Sequence, residues 1–160
     1  MSRASWDEVW SGVAIDVSRR SRCSREKVGA VIIDRTNRVV ATGYNGPPAG
    51  LPTSNGAVRS PMCDMFCERA KQGPTKLTAV SYVDCVSIHA EANALMFCDR
   101  RDREDGTIYV TSHLCWTCAK LVANSGLSRV VLVNADVSPH RRPESSYVLL
   151  RRCGLVVDAA

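Results

Sequence analysis

The sequence predicts an α/β fold, a three-layer α/β/α sandwich built around a mixed sheet of about five strands. Three observations lead to this prediction. Short apolar runs alternate with segments of helical periodicity along much of the chain. The 160 residues suit one compact domain, and a hydrophobic fraction of 45% is normal for a globular core. The sequence contains no internal repeat or domain linker, so we treat residues 1–160 as a single domain.

The N-terminal part of the predicted sandwich is a helix followed by a β-hairpin. Ser5 and Glu8 fit a capping box, and apolar residues recur behind them, which predicts a helix from about 6 to 20. The apolar runs 28–34 and 38–44 are typical of strands. The turn sequence DRTN lies between them, so we expect the two strands to pair.

A long insertion follows the hairpin and covers about residues 45–86. Its first part, 45–56, is rich in glycine and proline and predicts a loop. Residues 61–71 could form a short helix after Pro61. An insertion of this length is uncommon in a small domain unless it is functional or held by additional links.

Regular alternation returns after the insertion. Gly126 lies where a helix C-cap belongs, which marks the end of the second helix of this part. The predicted elements are a helix at 88–100, a strand at 107–111, a helix at 115–125, a strand at 129–134, a helix at 143–152 and a strand at 155–158.

The charge pattern favours a small anionic substrate. The chain carries 21 basic and 16 acidic residues, a net charge of +5. Basic residues cluster at 19–27 and 141–152, where they form either a solvated surface or a site for phosphate or nucleic acid. Proteins that bind single-stranded nucleic acid stack its bases on aromatic side chains. Aromatics make up only 6% of this chain and do not interleave with the basic clusters, so the composition disfavours nucleic acid.

The sequence also predicts a compartment. No apolar run approaches the roughly 20 residues of a membrane span, and the N-terminus lacks the layout of a signal peptide. We therefore expect a soluble protein of the cytoplasm, or of the host cytoplasm if the source is a virus. In such a compartment, eight cysteines indicate metal binding or catalysis more than disulfides.

Four residues suggest a catalytic zinc site. Cys115 and Cys118 are three apart at the start of a predicted helix, which places both sulfurs on one face. His89 would add a nitrogen, and three protein ligands leave the fourth tetrahedral position for water. Glu91 is the candidate general acid and base that moves the proton of that water. The alternative is a structural zinc or a redox dithiol beside an unrelated carboxylate.

The pattern H-x-E followed by P-C-x-x-C is typical of zinc-dependent nucleobase deaminases. The chain resembles the deoxycytidylate (dCMP) deaminase family of the cytidine deaminase-like superfamily from about residue 6 to 158. The resemblance lies in RSRCSREKVGAVIID, ATGYNGPPAG, HAEANAL, TIYVTSHLCWTCAKLVANSGLSRVVL and, weakly, YVLLRRCGLVV. It implies zinc-dependent hydrolytic deamination of dCMP, or of a 5-substituted dCMP, to dUMP and ammonia. Water would attack C4 of cytosine, and Glu91 would protonate N3 and then the departing amino group.

The resemblance also implies substrate contacts. Asn45 would bond the 3′-hydroxyl, the Ala90 N–H would meet the base carbonyl, and the His113 carbonyl would accept from the exocyclic amine. Val28 and Ala30 would help to line the pocket. On the residues alone, the alternative for Asn45 is a turn residue before a glycine.

The chain departs from the family pattern beside the first cysteine. Leu114 replaces the usual proline, which donates no essential atom, so we expect activity to survive. His113 replaces the usual serine, and its imidazole either contacts the substrate or lies on the surface. Trp116 between the cysteines packs against its neighbours, lines the pocket or forms a subunit contact.

The remaining cysteines suggest a second metal. Some members of the family that the chain resembles hold a second, structural zinc. Its ligands are one residue before VGAV and others in the insertion, and the resemblance implies the same arrangement here. Free buried thiols and disulfides are the alternatives. We expect two further cysteines, Cys98 and Cys153, to be small core residues within helices. The candidate ligands of the second zinc are Cys23, Cys63, Cys67 and Cys85.

Phosphate binding and regulation are predicted less sharply. Sequence position suggests Ser24, Arg25 and Lys27 for the phosphate, and Gly46 for a phosphate or effector site. The resemblance implies a homo-oligomer, with a hexamer favoured, and dCTP and dTTP as effectors. The stretch after GYNGPPAG lacks the acidic, cysteine and histidine residues often found there, which leaves regulation open. The competing functions are deamination of another cytosine nucleotide or nucleoside, such as dCTP, and a non-enzymatic zinc-binding interaction module. Glu91 argues against the module, because a structural zinc has no use for it.

Overall fold

The computed structural model describes residues 2–23, 25–50, 85–133 and 143–160. The described residues form five helices and five strands. The helices are α1 (Trp6–Ser18), α2 (Ala90–Met96), α3 (Arg100–Arg103), α4 (Trp116–Ala123) and α5 (Pro143–Arg152). The strands are β1 (Gly29–Ile33), β2 (Val39–Tyr44), β3 (Thr107–Val110), β4 (Arg129–Leu132) and β5 (Val156–Ala159).

The five strands form one mixed sheet in the order β2-β1-β3-β4-β5. β1 pairs antiparallel with β2 and with β3, so the predicted hairpin is confirmed. β3, β4 and β5 run parallel, each reached through a helix as parallel pairing requires. β3 is the first of the parallel strands and lies at the centre of the sheet. The loop after it leads to α4.

Helices cover both faces of this sheet, which confirms the three-layer sandwich. Along β1, Ala30 and Ile32 belong to the apolar cluster that joins the sheet to α2, α4 and α5. Val31 and Ile33 point to the other face, where they pack with Ala14 of α1. The strict alternation follows from the period of two in an extended chain.

Helix α1 begins where the sequence predicted. The Ser5 hydroxyl accepts from the backbone N–H of Glu8 at 3.2 Å, and the Glu8 carboxylate accepts from the backbone N–H of Ser5 at 2.6 Å. This is the predicted capping box. The helix ends at Ser18 rather than near 20, where Arg19 forms the C-cap.

The helix predicted at 88–100 was wrong in extent. α2 ends at Met96, and the chain turns through Phe97 before the short helix α3 begins after Asp99. Asp99 has extended backbone angles, φ −65° and ψ 144°, which end the first helical run. Arg103 fills the gap by donating to the carbonyls of Leu95, at 3.0 Å, and of Cys98.

Helix α4 is also shorter than the prediction of 115–125. Its C-cap is Asn124, and Gly126 follows two residues later with φ +93°. This left-handed backbone angle is one that glycine adopts without steric cost. The predicted C-cap at Gly126 was therefore wrong: Asn124 is the cap, and the glycine lies in the turn that follows.

An ionic cluster fastens α1 to the sheet, and we call it the Asp7–Arg129 clamp. Arg129 of β4 donates to both carboxylate oxygens of Asp7, each at 2.9 Å, and to Asp158 of β5 at 2.7 Å. The Tyr109 hydroxyl donates to Asp7 at 2.6 Å. The bond from Arg129 holds the pKa of the Asp7 carboxyl below its ordinary value. The residues come from distant parts of the sequence, so no local pattern predicts them.

Several predictions lie outside the described residues. They include the helix at 61–71 and most of the insertion at 45–86, with Cys63 and Cys67. Among the described residues, Cys98 is buried as predicted, but Cys153 is exposed, because it follows the end of α5 and faces solvent. The helices of the described parts are all too short or too polar to cross a bilayer.

Candidate metal centre

Two helix starts carry the candidate metal ligands. His89 is the N-cap of α2, with φ −71° and ψ 153°. Cys115 is the N-cap of α4, with φ −69° and ψ 163°. An N-cap residue has extended backbone angles, so its side chain is not bound to the helical spacing of the residues that follow. This explains how His89 and Glu91, two residues apart, can serve one site.

The three predicted ligands meet at one point. His89 Nδ1 lies 3.5 Å from Cys115 Sγ and 3.4 Å from Cys118 Sγ, and all three atoms lie within 4.8 Å of one another. Tetrahedral zinc with ordinary Zn–N and Zn–S bonds separates nitrogen from sulfur by about 3.6 Å. The observed distances agree with that separation. These residues therefore fit a zinc ion with one coordination position left open.

Contacts within the site shift the pKa values of the two thiols in opposite directions. The Cys118 thiol bonds to the Cys115 sulfur and lowers the pKa of Cys115, and His89 acts in the same direction. The backbone N–H of Cys118 also donates to Cys115 Sγ at 3.4 Å. The same contact between the thiols, followed by burial and the charge of Glu91, raises the pKa of Cys118. A metal cation would reverse that effect, since it favours the thiolate.

Glu91 lies beside the ligands and not among them. Its side chain is 3% exposed, in the first turn of α2. The carboxylate contacts the Cys118 thiol, and its charge raises the pKa of that group. A buried carboxylate is costly unless it has a partner or a task. The location suits a group that moves protons at the open position of the metal.

Close backbone packing brings α2 to this place. A Cβ atom on Gly43 of β2 would lie 2.3 Å from the Ala90 carbonyl oxygen, so only glycine allows the approach. Asn93 of α2 donates to the Tyr44 carbonyl at 2.7 Å. Gly46 pairs with Ile88 through two backbone hydrogen bonds of 3.1 and 2.8 Å. These contacts seat the first ligand next to the end of β2.

The comparisons with known proteins identify the family. Residues 4–134 match the family described as the cytidine and deoxycytidylate deaminase zinc-binding region. The chain belongs to this family. It is 44% identical to the deoxycytidylate deaminase of Mycobacterium phage D29 over 131 residues, which cover 82% of this chain and 96% of the relative.

Other relatives support the same assignment at greater distance. The deoxycytidylate deaminase of Saccharomyces cerevisiae is 33% identical over 98% of this chain, but this chain spans only 45% of the yeast protein. The dCMP deaminase of cyanophage S-TIM5, solved in complex with dCMP and dUMP, superposes with a TM-score of 0.67. It covers 100% of both chains at 22% identity, and at that identity the likeness shows the fold.

Directly after β2, Asn45 ties its own segment to the segment before β1. Its side-chain oxygen accepts from the Val28 N–H at 2.8 Å, and its side-chain nitrogen donates to the Glu26 carbonyl at 2.8 Å. An amide nitrogen carries two hydrogens, and this bond uses one of them. Asn45 is buried and so are Val28 and Ala30, which pack in the cluster beneath α2 and α4.

The loop between β3 and α4 carries the departures from the deaminase pattern. His113 is only 5% exposed, so the surface position that the sequence allowed for it was wrong. Its ring packs 5.8 Å from the ring of Tyr147 on α5, and Nδ1 contacts the Tyr147 hydroxyl. Leu114 is fully buried, whereas Trp116 is 50% exposed.

The candidate phosphate residues are described in part. Arg25 and Lys27 are exposed before β1, and Ser24 lies outside the described residues. The Gly46 N–H is engaged by the Ile88 carbonyl, so another group must bind any anion at that point. Of the second zinc set, Cys23 and Cys85 are free thiols of intermediate exposure.

Two site contacts were missed by the sequence analysis. The Ser112 hydroxyl donates to the Glu26 carboxylate at 2.6 Å and ties the loop after β3 to the segment before β1. The contact between His113 and Tyr147 ties the same loop to α5. Neither has a spacing signal, because 86 residues separate the first pair and 34 the second.

Proposed function

We propose that this chain catalyses the hydrolytic deamination of dCMP to dUMP and ammonia. The observation that carries the proposal is the meeting of one imidazole nitrogen and two thiol sulfurs with Glu91 buried beside them. Relatives that share up to 44% identity are named deoxycytidylate deaminases. The cyanophage protein with the same fold binds dCMP and dUMP.

His89, Cys115 and Cys118 would hold the zinc ion. Bound there, zinc lowers the pKa of a coordinated water to about 7 and so makes a nucleophile available at neutral pH. The chain contributes two sulfurs and one nitrogen, and their mutual distances of 3.4 and 3.5 Å from the imidazole require little movement on binding.

Glu91 would carry the protons of the reaction. It takes one proton from the attacking water and delivers it to N3 of the cytosine ring. It then takes the proton of the hydroxyl group now on C4 and delivers it to the amino group, which leaves as ammonia while that oxygen becomes the ring carbonyl. A carboxylate screened from solvent suits this relay, because bulk water cannot compete for the proton. The burial of Glu91 at 3% exposure supports this role.

The segments around the site would bind the rest of the nucleotide. The second hydrogen of the Asn45 amide is suited to the sugar 3′-hydroxyl, while the first fixes the side chain on the Glu26 carbonyl. The Ala90 N–H and the His113 carbonyl are the candidate partners of the base. Exposed Arg25 and Lys27 would attract the phosphate from the solvent side.

The test is ammonia release by zinc-loaded protein. The substrates are dCMP, 5-methyl-dCMP, 5-hydroxymethyl-dCMP, dCTP, deoxycytidine and single-stranded DNA. We expect turnover of a monophosphate and a loss of about 10²- to 10⁴-fold in kcat for Glu91→Gln, the usual contribution of a general acid and base. Glu104→Gln removes an exposed carboxylate and is the matched control.

Each alternative has its own result. If dCTP or deoxycytidine is turned over faster than dCMP, that compound and not dCMP is the substrate. Turnover that persists undiminished in Glu91→Gln would remove Glu91 from the mechanism. A zinc-bound protein that acts on none of the substrates would refute the deaminase proposal and favour the zinc-binding interaction module.

Assembly and regulation extend the same proposal. We infer from the family resemblance a homo-oligomer, with six copies favoured. Met96 and Phe97, which are 68% and 78% exposed at the end of α2, would gain from burial in a contact between copies. dCTP and dTTP remain the proposed effectors, and Cys23 with Cys85 would belong to a second zinc. Light scattering and metal analysis check the copy number and the zinc content. The thiol ligands suit the reducing conditions of the cytoplasm.

A further inference from the structure

The loop between β3 and α4 has an unusual anchor. It leaves the central strand after Val110 and reaches the first sulfur ligand, Cys115, within five residues. On one side, the Thr111 hydroxyl accepts from the Gly29 N–H at 2.9 Å. On the other side, His113 reaches α5 and contacts the Tyr147 hydroxyl through Nδ1. The imidazole of His113 is thus directed at a helix that supplies no metal ligand.

Helix α5 is a firm support for this contact. Ser146 and Leu150, which flank Tyr147 at one and three residues, are 1% and 0% exposed. Tyr147 itself is half-buried and packs against the cluster that contains Leu114 and Cys118. A side chain held in this way loses little further rotamer freedom when it makes a hydrogen bond. The Tyr147 hydroxyl can therefore fix the orientation of the His113 ring.

We propose that Tyr147 is a positioning residue for the metal centre and acts through His113. The hydrogen bond holds the loop 111–115 against α5, so that Cys115 and the His113 carbonyl keep their places when zinc and substrate bind. The metal part of this inference depends only on the ligand set, and the catalytic part rests on the proposed deaminase function. Tyr147 touches no reacting atom in this scheme, and it therefore acts on the site through the loop.

A double-mutant cycle on the full-length protein tests this inference. The variants are Tyr147→Phe, His113→Leu and the double variant, with zinc affinity measured by competition with a chromophoric chelator. Loss of a group that orients a ligand costs about 10- to 100-fold in metal affinity. Tyr147 bonds to His113, which is not itself a ligand, so we expect a smaller effect. Tyr147→Phe should weaken zinc binding about fivefold, which corresponds to the free energy of one net hydrogen bond. In the His113→Leu background we expect the same change to cost less than about twofold.

Controls separate positioning from general destabilisation. Tyr109→Phe removes another buried phenol hydroxyl, which donates to Asp7 at 2.6 Å on the opposite face of the sheet. It should lower the melting temperature without changing zinc affinity. His113→Asn offers a polar atom near the place of Nδ1 and should retain sensitivity to Tyr147→Phe. If His113→Leu does not fold, His113→Ala takes its place in the cycle.

The outcomes distinguish this inference from the proposed function. Equal losses of zinc affinity in both backgrounds, or no loss in either, would overturn the role of Tyr147 even if dCMP is deaminated. If Tyr147→Phe weakens zinc binding only when His113 is present, and the protein does not deaminate dCMP, the positioning role of Tyr147 stands and the proposed deaminase function is refuted. If both stand, Tyr147→Phe should also lower kcat for dCMP about fivefold with little change in KM.

Discussion

Replacing Asp7 by asparagine would break the Asp7–Arg129 clamp without changing the shape of the side chain. The carboxylate accepts two bonds of 2.9 Å from the Arg129 guanidinium and one of 2.6 Å from the Tyr109 hydroxyl. Asparagine keeps one acceptor oxygen but turns an NH₂ group toward the guanidinium. Arg129 retains its bond of 2.7 Å to Asp158, so the guanidinium is left with a partner.

The magnitude follows from the geometry and the exposure of the clamp. A hydrogen bond to a charged group contributes about 1.5–3 kcal/mol when it is shielded from water. The side chains of Arg129 and Asp7 are 30% and 38% exposed, so solvent screens part of this energy. We expect Asp7→Asn to lower the free energy of unfolding by about 1–2 kcal/mol at pH 7, which for a domain of this size lowers the melting temperature by about 3–6 °C.

The effect should depend on pH with a definite sign. The bond from Arg129 lowers the pKa of the Asp7 carboxyl from its ordinary value of 3.8. A lowered pKa in the folded state means that the unfolded state binds more protons at acid pH. The stabilisation is therefore complete above the ordinary pKa and disappears as the pH falls through the folded value. Asparagine does not titrate, so the difference between the two proteins should be constant above about pH 5 and shrink below it.

Urea unfolding of both proteins across this pH range measures the difference directly. Asp16→Asn is the matched control, because it makes the same change on the same helix in an exposed pair with Arg19 whose side chains are 70% and 76% exposed. That control should change stability by less than about 0.5 kcal/mol. A loss for Asp7→Asn no larger than the control, or one equally large at pH 3 and pH 7, would refute the reasoning.

Three further changes test the site and its support. Gly43→Ala should destabilise the fold by about 1–3 kcal/mol and weaken zinc binding, because the new Cβ meets the Ala90 carbonyl at 2.3 Å. Gly12→Ala is the control, because a Cβ there meets nothing within 4 Å. The melting temperature and the zinc affinity of both variants are compared with those of the unchanged protein. Cys118→Ser should bind one zinc ion fewer per chain than the unchanged protein and melt at a lower temperature, and an unchanged zinc content would exclude this ligand. Trp116→Ala should change stability by less than about 1 kcal/mol, since the side chain is 50% exposed, and a larger loss would mean that another surface covers it.

Local sequence signals predicted most of the fold. The capping box at Ser5 and the period-two strands of the hairpin depend on residues close together in the chain, so their pattern is visible without the structure. The break between α2 and α3 was not visible, because Ala90–Met96 are mostly strong helix formers and no glycine or proline marks the turn through Phe97 and Asp99. There, bonds from Arg103 to the carbonyls at the end of α2 take the place of further helical turns.

The candidate site divides along the same line. His89, Glu91, Cys115 and Cys118 could be predicted because metal chemistry restricts both residue type and spacing. The support of the site could not, because Gly43 acts by lacking a side chain and is recognised only when Ala90 is seen against it.

The Asp7–Arg129 clamp has a consequence for the two ends of the chain. Asp7 lies in the first turn of α1 and Asp158 in the last strand, yet both bind the guanidinium of Arg129. The first turn of α1 and the last strand are therefore neighbours, since one guanidinium binds a carboxylate from each. A circular permutant that joins residues 160 and 2 through a short flexible linker, and opens in the turn 34–38, should keep every strand pairing and leave the zinc ligands on one continuous segment.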